Sequence, residues 1–193
     1  MPFDTSKFFD FLRHGLLGPS LSDNEVSGCN AITAAMIGTP IAYCAYALAT
    51  AYHETNATMQ PVREAYWLSE AWRKKNLRYW PWYGRGYVQL TWQANYERAD
   101  EELNLGGTLI TNLDRAMERD IAAKIMRRGM QEGWFAGNAA GRHTLARHLP
   151  ETSKANEAQF KAARRIINGT DKDLLIARHA LQFQAALSIG GWV

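Results

Sequence analysis

The chain has 193 residues, 47% of them hydrophobic and 21% charged, with a formal net charge of +3. That length suits one domain with a sizeable core, residues 1–193, and is short for two. The composition excludes a disordered chain, and no apolar run approaches the roughly 18–20 residues of a membrane span, so stable membrane insertion is excluded too.

Thr5 or Ser6 is placed to cap a first helix, whose Phe8, Phe9, Phe11, Leu12 and Leu16 fall on one side. The leading stretch has acids at Asp4 and Asp10 and no basic leader, so it does not read as a signal peptide. Ser22 with Glu25 three residues on is a capping-box signal for a second helix to about Ile37. Thr39-Pro40 then starts a third, running to Glu54 and apolar almost all round, as a buried strut would be. Cys29 and Cys44 are expected as free buried thiols.

Residues 55–90 break the helical pattern with Asn56, Pro61, Pro81, Gly84 and Gly86, and Tyr87–Leu90 is expected as a short strand. Helical periodicity returns at about 92–103 and 114–130. A glycine- and alanine-rich loop follows at Gly133–Gly141, then helices at about 154–167 and 172–189. The expected architecture is mainly α, with an irregular lobe that carries a small hairpin. Charge is uneven: residues 1–113 carry 9 basic and 11 acidic side chains, and 114–193 carry 13 and 8.

Two glutamates ten positions apart, Glu54 and Glu64, precede the aromatic run Tyr79–Asn95. Paired carboxylates can cut a glycosidic bond, one as proton donor and one as activator of water. Separations of roughly 6.5–9.5 Å invert the anomeric centre and about 5–5.5 Å retain it. Glu54 ends the buried helix, where the helix dipole and apolar surroundings both disfavour a carboxylate. Glu64, beyond the next turn, is expected in a more polar setting. Arg85 reads as a structural ion-pair partner, Gly84 and Gly86 as turn formers. Trp67, Trp72, Trp80, Trp82 and Trp92 crowd one region, part core and part sugar platform. No metal site is expected. His53-Glu54-Thr55-Asn56-Ala57 is not HExxH, and His143 and His148 are off the helical i, i+4 spacing. Aromatic residues among Arg73, Lys74, Lys75, Arg78 and Arg85 could stack nucleic-acid bases, but the first 113 residues are net acidic, so no nucleic-acid partner is expected.

His53-Glu54-Thr55, then Tyr83-Gly84-Arg85-Gly86-Tyr87-Val88-Gln89-Leu90-Thr91 and Asn95-Tyr96, resemble the signature of glycoside hydrolase family 19, which holds chitinases and related phage endolysins. Arg165-Ile166-Ile167-Asn168-Gly169 resembles that family's downstream motif. The resemblance implies a lysozyme-like, two-lobed fold around a cleft. It makes Glu54 the general acid, Glu64 the general base and Thr91 the holder of the attacking water. His53, Tyr83, Gln89, Asn95 and Asn168 would contact substrate, and Arg178 would orient a catalytic carboxylate. The cysteine framework of the secreted plant enzymes is absent, and the short Glu54–Glu64 interval is like the compact phage and bacterial members. The implied activity is inverting hydrolysis of β-1,4 bonds in peptidoglycan by a monomeric endolysin without cofactor. Such an enzyme would be held in the host cytoplasm until released to the wall. The alternative is a compact bacterial chitinase.

Overall fold

The computed structural model describes residues 3–138 and 141–193. Helix α1 (Thr5–Arg13) is capped by Asp4, not by Thr5 or Ser6: this acid takes the extended conformation one residue earlier and accepts from the Lys7 N–H. Helix α2 (Asp23–Met36) has the expected reciprocal cap, Ser22 N–H to Glu25 Oε2 at 2.8 Å and Glu25 N–H to Ser22 Oγ at 3.2 Å. Helix α3 (Ile41–Glu54) follows Pro40 and buries every residue from Ala42 to Ala51. Its small alanines let neighbouring backbones come close.

The middle of the chain contains β1 (Val62–Arg63), α4 (Glu70–Asn76) and β2 (Arg85–Gly86). Strands β1 and β2 pair antiparallel, with Arg63 opposite Arg85. Of the strand expected at Tyr87–Leu90 only Leu90 pairs, in a single antiparallel bridge to Arg85; residues 87–89 form a turn in which Gln89 takes a left-handed φ of 54°. Tyr87 and Val88 are β-formers used as core. Helix α5 (Gln93–Glu102), the short α6 (Thr108–Thr111), a 3-10 turn at Leu113–Met117 and α7 (Arg119–Glu132) follow. A second hairpin, β3 (Gly137–Asn138) with β4 (Gly141–Arg142), lies in the loop expected at Gly133–Gly141, of which residues 139–140 are outside the described residues. Then come α8 (Leu145–His148), α9 (Glu157–Ala163), a 3-10 turn at Arg164–Ile166 and α10 (Asp173–Ile189).

Two hydrophobic cores meet at α7. Ala122, Ala123, Met126 and Met130 join the larger one, built on α3 and α10, while Ile121 and Ile125 face a smaller one with Leu90, Tyr96 and Leu109. One amphipathic helix thus serves as wall for both lobes. Cys29 and Cys44 are free and buried in the larger core. Among the described residues no helix is long and apolar enough to cross a membrane.

Candidate active site

Where the lobes face each other an open cleft of about 420 Å³ is lined by residues from both. Glu54, at the end of α3, forms its floor. Gln89, Thr91 and Asn95 come from the smaller lobe, and Asn168 from the opposite side. These five are the sequence candidates that the fold brings together. Val88, Trp92, Phe135 and Ile167 supply the apolar surface between them, and Tyr79 stands at one edge.

Glu54 is held by one cation. Arg164, fully buried, donates from Nη1 to Glu54 Oε1 at 2.8 Å and from Nε to the Asp171 carbonyl at 2.9 Å. Among the described residues nothing bonds Oε2 of Glu54, which leaves that oxygen for a ligand. One and two turns back on α3, Thr50 and Tyr46 are both buried, and burial pushes the Tyr46 phenol up. Arg164 has the orienting role expected of Arg178. Arg178 is an exposed residue of α10, its Nε 3.8 Å from Glu157 of α9. Sequence did carry a signal for Arg164. With Phe160 and Ala163 it falls at i, i+3, i+4 and carries the buried side of α9 into the 3-10 turn that follows, and a cation on a core face demands an acid.

Glu64 does not line the cleft itself and is linked to it through Tyr79, which does. The β1–β2 ladder continues through Glu64 N–H to the Gly84 carbonyl at 2.7 Å. Its side chain accepts from Tyr79 Oη at 2.6 Å and from the Gly84 N–H at 3.0 Å, so both oxygens are occupied. Burial and then the bond to Glu64 push the Tyr79 phenol up to about 12, which keeps it a donor. Gly84 does more than shape a turn: a Cβ there would lie 2.6 Å from Gln89 Oε1. Only a glycine lets the Gln89 amide pack behind it, with Nε2 bonded to the Val62 carbonyl at 3.0 Å. Thr91 Oγ1 donates to the Gln89 carbonyl at 2.8 Å, and Asn95 Nδ2 donates to the Thr91 carbonyl at 2.8 Å. The positive φ of Gln89 (54°) and of Trp92 (74°) puts two strained non-glycine residues in the cleft wall, which is where such strain tends to have a function.

Two further candidates lie elsewhere. Tyr83 is buried, and its hydroxyl donates to Glu70 at 2.9 Å on a separate surface that Arg63, Arg85 and Asp114 also line. Alternation along β1 explains this, because Arg63 and Glu64 point to opposite faces. Cross-strand register puts Arg63 beside Arg85, and Asp114 accepts from both, at 2.6 and 3.0 Å. Arg85 is therefore the structural ion-pair partner expected of it, with further bonds to the Pro81 and Tyr83 carbonyls. His53 is half-buried beside Glu54 but outside the cleft lining, and burial pulls its imidazole below the ordinary range.

No family model and no curated protein matches the chain. Solved structures do. Chitinase C from Streptomyces griseus HUT6037 aligns with TM-score 0.63 at 19% identity, over 96% of this chain and 76% of that one. A bacterial family 19 chitinase gives 0.54 at 21% identity, over 99% and 96%. A mutant of chitinase C gives 0.51 at 18%, over 97% and 92%. The fold is that of the family 19 chitinases. At this identity the likeness speaks for the fold, and the chemistry is argued from the side chains.

His143 and His148, separated by sequence spacing, meet in space with Nδ1 and Nε2 2.9 Å apart and rings stacked. Among the described residues no third ligand completes a metal cluster. Burial first, then the charges of His143, Arg147 and Arg165, lower His148 from 6.5 to about 4. The folded chain therefore resists a proton that the unfolded chain accepts. The stability tied to His148 is complete above about 6.5 and is lost as pH falls through about 4. Asp114 adds to the acid end: burial alone would raise it, but hydrogen bonds from Arg63 and Arg85 hold it below 3.8. Calorimetry from pH 7 to 4 should show a falling melting temperature, and His148→Gln should flatten that slope.

Proposed function

We propose that the chain is a glycoside hydrolase of the endolysin type, cleaving β-1,4 bonds of bacterial peptidoglycan with inversion. The observation that carries this reading is the convergence of Glu54, Gln89, Thr91, Asn95 and Asn168 on one open trough. Glu54 is paired with Arg164 through Oε1, against the expectation of surroundings that disfavour a carboxylate, so it must first take up a proton from solvent on Oε2. It then gives that proton to the glycosidic oxygen as the bond to the anomeric carbon breaks. Water then attacks that carbon from the other face and yields a proton to Glu64, once the Tyr79 hydroxyl releases the carboxylate. Thr91 Oγ1 already donates to Gln89 O, so its lone pairs are what it can offer the water. Gln89, Asn95 and Asn168 supply amide groups for N-acetyl and hydroxyl substituents.

Two features favour an anionic wall polymer. Arg78 lies over the ring of Trp92, 5.3 Å from its centroid, in the cleft wall. Arg165 is exposed a few residues from Asn168. In this reading the enzyme waits in the host cytoplasm until it can reach the wall. Chitin hydrolysis is the second reading, favoured by the chitinase neighbours. Side-by-side digestion of purified peptidoglycan and colloidal chitin, with mass spectrometry of new reducing ends, distinguishes them. Products are expected from peptidoglycan. Products from chitin alone would make the protein a chitinase, and products from neither would end the hydrolase reading. Glu64→Gln is expected to lower kcat by roughly 10²–10⁴-fold. Activity within a few-fold of the parent would assign the base to another group.

A further inference from the structure

Tyr66, Trp67, Trp72, Trp80 and Trp92 are all exposed; the first four lie on or beside α4, and Trp92 caps α5 in the cleft wall. Tyr66 and Trp67 are the extreme pair, 58% and 72% accessible, packed edge to face with centroids 5.2 Å apart. The turn that carries them is firmly built. Arg73, itself buried, donates from Nη1 to the carbonyls of Ala65 and Leu68 at 2.8 Å each and to that of Glu64 at 3.5 Å. Its Nε pairs with Glu70 at 3.0 Å. A buried guanidinium must recover in bonds what it loses in hydration. Here those bonds fix a turn that projects two aromatic rings into solvent.

Other rings on this lobe are pinned as well. Trp80 donates from Nε1 to Glu70 at 2.8 Å and lies under Lys74, and Trp92 lies between Arg78 and the edge of Tyr79. Apolar faces already fixed in place lose little entropy when a flat ligand settles on them. Exposed apolar groups clustered this way mark interaction surfaces. Lys74, Lys75 and Arg78 are exposed among the rings and give the surface a positive sign. That sign suits a polymer that bears carboxylates better than a neutral one.

We propose that the Arg73-clamped turn carrying Tyr66 and Trp67 is an accessory binding platform, outside the cleft, for the carboxylate-bearing glycan strands of peptidoglycan. The choice of polymer rests on the hydrolase reading above. Aromatic rings among cations also stack nucleic-acid bases. The glycan is favoured because Trp92 belongs both to this exposed set and to the cleft, and because Arg73 ties the turn to Glu64 itself.

The test uses Glu54→Gln protein, so binding is read without turnover, and measures co-sedimentation with purified peptidoglycan. Adding Tyr66→Ala and Trp67→Ala is expected to weaken binding roughly tenfold, about 1.4 kcal/mol, with the melting temperature unchanged. Trp67→Phe should recover part of the loss. Adding Lys74→Gln and Lys75→Gln should weaken binding at low salt and have little effect at high salt. Should the double alanine variant fail to fold, Trp67→Ala alone serves, since its side chain is mostly in solvent. Binding within about twofold of the parent would overturn the platform. An equal loss on chitin would overturn its preference for an anionic wall, and a larger loss on single-stranded DNA would reassign the surface to nucleic acid. Absence of hydrolysis by the parent would sink the hydrolase reading but leave this binding comparison intact.

Discussion

Glu54→Gln should leave a protein that still pellets with its polymer but turns it over on the order of 10²–10⁴-fold more slowly, since the amide has no proton to give the leaving oxygen. Release of reducing ends from purified walls measures this, and near-parental release would remove Glu54 from the acid role. The pairing with Arg164 adds a second expectation. Glutamine keeps an oxygen that can accept from Nη1 but removes the charge that balances a guanidinium of 1% exposure. A modest fall in melting temperature should therefore accompany the loss of turnover.

Removing the cation is expected to be worse. Arg164→Met keeps much of the side-chain volume but strands the carboxylate, and breaking a buried pair from one side typically costs about 3–5 kcal/mol. In a domain of this size that corresponds to roughly 2–4 °C per kcal/mol, so thermal unfolding should shift by about 10 °C. The Asp171 carbonyl loses its donor at the same time. The double variant Glu54→Gln/Arg164→Met should be less destabilised than the sum of the two singles, because the second change removes the charge that the first leaves unpaired. Strict additivity in thermal melts would show that the contact contributes nothing to folding.

Much of the frame could be read from residues alone, where one local signal dominated. Ser22 and Glu25 announced α2, and the unbroken apolar surface of Ile41–Ala51 announced a buried strut. The five cleft residues are ones that the resemblance to family 19 implied. What escaped was decided by contacts that no periodic pattern signals, some local and some distant in sequence. Helix α4 is seven residues with three cations and little apolar periodicity; it forms on a Ser69 cap and buries Arg73 against the preceding turn. Arg178 faces solvent on α10, whereas Arg164, in the 3-10 turn that follows α9, is carried inward to meet Glu54 110 positions away in sequence. Tyr83 was misplaced because the sequence did not specify which face of the β1–β2 hairpin it would join. In sequence Tyr79 is one ring of an aromatic run, and its bond to Glu64 needs the chain to fold back over 15 positions.

Arg164 joins three points at once: the acid through Nη1, the Asp171 carbonyl through Nε, and the Asn168 N–H through its own carbonyl, at 3.0 Å. The floor and the far bank are thereby riveted to a single immobile part. The aperture at that end therefore has a preset gauge, set by one buried guanidinium.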